Sequence, residues 1–162
     1  MDRHLDICID AGINIEGTNA EVAAVSNVPI MMDESIYDVA DITRAAKIKG
    51  CGFVKLKLSK LTGIEHLAAG LRYIIELGMT PVMGNGAAPD ISCWVEACVA
   101  LHLINNAGEN CGFLKTQAQL LADPLTFKNG AIILQPNYKP QLNHQVLERY
   151  MVKKESYSVL KV

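Results

Sequence analysis

Short apolar runs alternate along this chain with longer stretches whose apolar positions recur every three or four residues. The first clear run is VPIMMDE (28–34), which ends in two acids. In DVADITRAAKIKG (38–50), Val39, Ile42, Ala45, Ala46 and Ile48 fall on one helical face, and Gly50 supplies a stop. GFVKLKLSK (52–60) reads as the next strand. GIEHLAAGLRYIIELG (63–78) places Ile64, Leu67, Leu71, Ile74 and Ile75 at helical spacing and closes on Gly78. TPVMGNG (80–86) is a third strand running into a glycine turn. DISCWVEACVALHLIN (90–105) is apolar nearly all round, which predicts a buried helix with Trp94 and Cys98 in the core. ENCGFLK (109–115) is expected as a fourth strand, and INIEG (13–17) as one ahead of them all.

Strand followed by helix, with starts 24 to 29 residues apart, is the mark of parallel βα units. An open doubly wound sheet and a (β/α)8 barrel both accept that order. A full barrel takes about 250 residues. This chain has 162. The expectation is an α/β fold: a single domain over 1–162 that forms a partial (β/α)8 TIM barrel of roughly four to five βα units.

Composition narrows the class. Half the residues are apolar and the net charge is -2, enough for one soluble domain with a core and no electrostatic footprint for nucleic acid. No apolar run is long enough to span a bilayer. The opening MDRHLDICIDAG lacks a signal-peptide apolar region. Five scattered cysteines (Cys8, Cys51, Cys93, Cys98 and Cys111), none in a CxxC pair, fit reduced thiols in a cytoplasmic protein.

In either architecture the chemistry sits at the C-terminal ends of the strands. Glu16, Asp33, Glu34, Lys57, Lys60 and Asn85 fall there. Strand alternation puts Lys55 and Lys57 on one face and Leu56 and Leu58 on the other. A lysine on an inward face is costly unless it is paired or its pKa is shifted. A carboxylate on a neighbouring strand end is its natural partner, and a carboxylate of that kind also suits Mg²⁺, which prefers oxygen ligands.

PIMMDES, followed by VKLKLSKLTGI with 24 residues between Asp33 and Lys57, resembles the C-terminal barrel of the enolase superfamily, in its mandelate racemase/muconate lactonizing enzyme group. That group includes dipeptide epimerases and dehydratases. The resemblance runs from about residue 13 to 150. INIEGT is similar to the family's second-ligand strand, MMDES to its third, and KLSKLTGI to its Lys-x-x-Lys-x-Gly-Gly-Ile run. The resemblance implies Glu16 and Asp33 as Mg²⁺ ligands and Lys57 as general base. It also implies Lys60 and Asn85 at the edge of the substrate site, and a small carboxylate as substrate. The implied reaction is removal of the proton α to that carboxylate, with the metal stabilising the enediolate. Return of the proton gives racemisation or epimerisation, and loss of a β-leaving group gives dehydration.

The chain departs from the family pattern in places. The first metal ligand has no clear counterpart; Asp10 lies only six residues before Glu16, too close for successive strand ends. Glu16 and Asp33 are 17 apart, Gly17-Thr18 replaces Gln-Pro, and Thr62 stands where glycine is usual. The capping domain and first barrel strands have no counterpart here. A homo-oligomer, or a second chain completing the barrel, is therefore expected. A truncated, non-catalytic half-barrel held together by oligomerisation is the alternative. Lys55 reads as a structural pair or an exposed residue rather than a catalytic one, and Glu96 and Glu109 are further acids of interest. MGNGAAPD offers either an anion cradle or a plain turn with Asp90 as N-cap.

Overall fold

The computed structural model describes residues 18–156. Helix α1 (Thr18–Val25) leads into strand β1 (Ile30–Met32), then α2 (Val39–Ala46), β2 (Cys51–Leu56), α3 (Ile64–Glu76), β3 (Thr80–Met83) and α4 (Asp90–Leu103). The strands form a parallel sheet in the order β1-β2-β3, with Met32 beside Val54, and Leu56 beside Met83.

Local chemistry sets the boundaries. Asp38 caps α2 by accepting from the Asp41 N–H, while the Asp41 carboxylate accepts from the Asp38 N–H, a reciprocal capping box. Gly50 and Gly78 turn the chain into β2 and β3 at φ of 95° and 78°, a region that disfavours residues with a Cβ.

The two faces of the sheet differ. Met32, Val54, Leu56, Pro81 and Met83 are buried, and α2 and α3 cover that face with Ile42, Ala45, Leu67, Leu71 and Ile74. Met31, Phe53 and Val82, on the other face, are only half-buried. Among the described residues the helices cover one face of the sheet and the other face carries Lys55, the arrangement expected of a partial barrel wall. Gly70 lets α3 approach closely; a Cβ there would lie 2.9 Å from Leu56 Cδ1.

Three expectations need correction. The segment 109–115 is not a strand. Only Glu109 pairs with the sheet, donating its N–H to Met83 O at 2.8 Å and accepting from Asn85 N at 3.0 Å. The chain then turns into a 3₁₀ helix over Gly112–Lys115, because Asn85 Oδ1 captures the Gly112 N–H at 2.9 Å. Helix α4 is not buried all round: Leu101 is 69% exposed and Trp94 and Cys98 are half-buried. Its buried positions are Asp90, Cys93 and Glu96. Nor is Asp90 an N-cap. Pro89 takes that place, and the Asp90 carboxylate accepts from Leu120 N and Leu121 N, both at 2.8 Å, tying the tail to the helix.

The tail carries an antiparallel hairpin, β4 (Thr126–Lys128) and β5 (Ala131–Ile133), and a short helix α5 (His144–Tyr150). Asn129 and Gly130, at φ of 52° and 80°, make its two-residue turn. Cys51, Cys93, Cys98 and Cys111 are free thiols. Among the described residues no helix is long and apolar enough to cross a membrane.

Candidate functional site

The strand ends converge on Asp33, the residue after β1. It is 6% exposed. Lys57, just past β2, reaches across from the neighbouring strand and places Nζ 2.6 Å from Asp33 Oδ1. Lys57 also pairs with Glu34. Lys60 sits one turn later, because its N–H bonds back to Lys57 O at 3.1 Å. From there Lys60 Nζ donates to the Asp33 carbonyl at 2.9 Å and lies 3.0 Å from Glu34 Oε2. Its ammonium stands 4.6 Å over the Tyr37 ring, a cation–π contact. The structure thus brings Asp33, Lys57 and Lys60 together. Glu16 lies outside the described residues, as does Asp10.

Lys55, one strand alternation before Lys57, sits on the same inner face. Its Nζ lies 2.7 Å from Glu109 Oε2 and 3.3 Å from Asp33 Oδ2. The expected structural ion pair is in fact a bridge between two strand ends. The stem crosses above Gly84, where a Cβ would fall 2.6 Å from Lys55 Cδ. A side chain at position 84 would block that path.

The fields in the cluster act in opposition. Burial works against the charge on Lys57, but its hydrogen bonds to Asp33 and Glu34 outweigh that and raise its pKa. Lys55 shows the same balance, with burial opposed by Glu109 and Asp33, and its pKa rises further. The hydrogen bond from Lys57, helped by Lys60, drops the Glu34 carboxyl to about 2 against the cost of burial. Both lysines are therefore held as ammonium ions in this arrangement.

Behind the cluster lies a second polar group. Glu96, on α4, is 1% exposed. It accepts from Leu58 N at 2.9 Å and from Asn85 Nδ2 at 2.5 Å. Burial raises the Glu96 pKa, partly offset by those two donors. Asn85 is buried at the end of β3, and its amide is engaged by Glu96, Cys93 and Gly112. Glu96 thus fixes both the turn that carries Lys57 and Lys60 and the strand end that carries Asn85. Its signal in the sequence was an acid in the middle of an otherwise largely apolar helix.

The donor set can be tested against Mg²⁺. Asp33, Glu34 and Glu109 are hard oxygen donors of the right kind. They are matched by the three ammonium groups of Lys55, Lys57 and Lys60, all within ion-pairing distance. Among the described residues no three His, Cys, Asp or Glu side chains are grouped to hold a metal. The described residues do not fit a Mg²⁺ site as they stand.

Comparison with known proteins gives a consistent picture. The family described as "Enolase C-terminal domain-like" matches residues 14–140. The chain is 26% identical over 120 residues to an L-amino acid-D/L-Glu epimerase of Francisella philomiragia, covering 74% of this chain and 34% of that protein. It is 25% identical over 119 residues to an L-Ala-D/L-Glu epimerase of Francisella tularensis subsp. novicida, covering 74% and 33%. The chain thus spans about a third of the length of these curated relatives. In fold it is similar to the muconate lactonizing enzyme from Pseudomonas putida, with a TM-score of 0.74 and 20% identity, covering 84% of this chain and 39% of that one. The N-succinyl Arg/Lys racemase from Bacillus cereus gives a TM-score of 0.71 and 21% identity, covering 83% and 37%. The one-sided barrel wall, the strand-end cluster and the family match over most of the chain lead to one statement: this chain belongs to the enolase C-terminal domain-like family of the mandelate racemase/muconate lactonizing enzyme group.

Proposed function

We propose that this chain supplies the lysine-bearing wall of a site that moves the proton α to a carboxylate, as in a racemase or epimerase, within a barrel completed by a second copy or another chain. One observation carries the reading. The Glu34 carboxylate, at the rim, is held between Lys57 and Lys60. A substrate carboxylate has the same charge and shape and would take its place.

Lys57 is the proton-transfer residue in this reading. In one direction the Lys57 ammonium returns a proton to an α-carbon that a base of the completing chain has deprotonated from the opposite face; by microscopic reversibility the Lys57 amine takes the proton in the other direction. Lys60 holds the carboxylate at the rim, and Tyr37 backs the Lys60 charge. Asn85, with Glu96, shapes the floor of the substrate site. The relatives' names point to amino-acid or dipeptide substrates with a free carboxylate. A cytoplasmic setting suits the free thiols. The Mg²⁺-dependent form of the reaction would need Asp33 to exchange its lysine partners for the metal and Glu16 to join it. The reading does not depend on that exchange.

The test is α-proton exchange in D₂O, followed by NMR, over a panel of dipeptides and N-acyl amino acids, with and without Mg²⁺. Wild type should wash in deuterium, and Lys57→Met should lose exchange by about 10²-fold or more, the scale of a general acid–base group. Exchange that survives Lys57→Met would remove Lys57 from its role. The even balance of three carboxylates and three ammonium groups favours a second reading, a half-barrel without activity of its own. No exchange across the panel selects it.

A further inference from the structure

The geometry points to Lys55 as the resident cation of the strand-end cluster: its ammonium clamps Asp33 and Glu109 where a divalent metal would otherwise be held, so these strand ends take up no such metal. The proposal shares only the location of the site with the functional reading above.

Three features of the chain are built around this amine. Asp33 follows β1, and its Oδ2 lies 3.3 Å from Lys55 Nζ. Glu109 is brought alongside β3 by a single backbone pairing with Gly84, and its Oε2 lies 2.7 Å from the same nitrogen. Gly84 leaves the path between them open, since any Cβ there would strike the lysine stem. The Lys55 side chain is 4% exposed. An ammonium buried this deeply persists only when it is paired, and both of its partners are carboxylates.

The charge count gives the consequence. Among the described residues, Asp33, Glu34 and Glu109 contribute three negative charges, and Lys55, Lys57 and Lys60 contribute three positive ones. A divalent cation needs several hard oxygen donors free to face it. Here it would have to evict at least one buried ammonium from its partners and leave that charge uncompensated. Removing the Lys55 charge reverses the balance. Two hard carboxylates would then face one cation-sized gap, each already within 3.3 Å of its centre. A latent divalent site should appear.

Mn²⁺ titration followed by the paramagnetic resonance of the free ion tests both halves. Wild type should leave the Mn²⁺ signal unchanged, and millimolar Mg²⁺ should not shift its thermal midpoint. Lys55→Met keeps an apolar stem over Gly84 and should bind one Mn²⁺ with an affinity about tenfold or more above wild type. Adding Asp33→Asn to that variant should abolish the gain. A wild type that binds one Mn²⁺ saturably overturns the proposal, and this arm stands even if Lys55→Met does not fold. A folded Lys55→Met with no gain overturns it too. The two proposals fail separately. Exchange that requires added Mg²⁺ would sink this one and leave the functional reading intact. A metal-silent wild type without exchange would do the reverse.

Discussion

The placement of single residues in this chain follows from what each must pass or reach. Gly84 shows it best. Lys55 can bridge Asp33 and Glu109 only by crossing position 84, where its Cδ stands 2.6 Å from where a Cβ would be. Gly84→Ala should therefore push the stem aside and stretch one or both ion pairs. The expected loss is about 1–3 kcal/mol, the usual cost of overpacking a tight site, read from urea unfolding. A variant as stable as wild type would mean that the lysine stem has room to shift. Gly112 follows the same logic, since a Cβ there would lie 2.5 Å from Asn85 Oδ1. The Asp33–Lys57 pair was legible in the sequence from its 24-residue spacing and flanking motif. The part of Glu109 was not, because nothing local shows that a residue 54 positions away meets Lys55.

Among the elements, α4 shows how a pattern can mislead. Its apolar sequence predicted burial on all sides. The buried face instead carries Asp90, Cys93 and Glu96, and Leu101 points to solvent. The polar residues are inside because each has backbone or amide donors to satisfy at the strand ends, and the helix is turned to deliver them. Glu96 makes this testable by pH. Burial raises its pKa above the ordinary 4.5, so the native state holds that proton more tightly than the unfolded chain does. Stability from this group must then fall as pH rises from 4.5 through the folded-state value. Glu96→Gln removes the titration and also sets its amide N–H groups against a donor, so it should be the less stable protein. The gap between wild type and variant, measured by urea unfolding, should be wider at acidic than at alkaline pH. A gap independent of pH would show that Glu96 titrates normally.

The whole molecule divides into a well-packed wall and a lightly held tail. The core joins Ile30, Ile42, Val54, Leu56, Leu67, Leu71, Ile74 and Met83 into one cluster. In the tail, β4 is exposed throughout and α5 has no buried residue. Regions with few buried apolar contacts open first. Trp94, the sole tryptophan, packs edge-to-face on Tyr138 of the tail with centroids 5.9 Å apart. Tryptophan fluorescence should therefore change at a lower urea concentration than far-UV circular dichroism, which follows the helices of the wall. Coincident transitions would show that tail and wall unfold as one unit.

Sequence alone determined the period of the βα units, the strand ends that carry Asp33, Lys57 and Lys60, and the membership of a family. Those features are local, or repeat at fixed spacing, so the order of residues encodes them directly. Tertiary structure decided which face of the sheet is covered, which side of α4 is buried, and why 109–115 leaves the sheet after one residue. It also decided that Lys55 joins Asp33 to Glu109. The covered face follows from where apolar helix faces can pack on it, and the other three depend on desolvating a charge or an amide only where a distant partner is waiting, a partner set by the fold rather than by the neighbouring sequence.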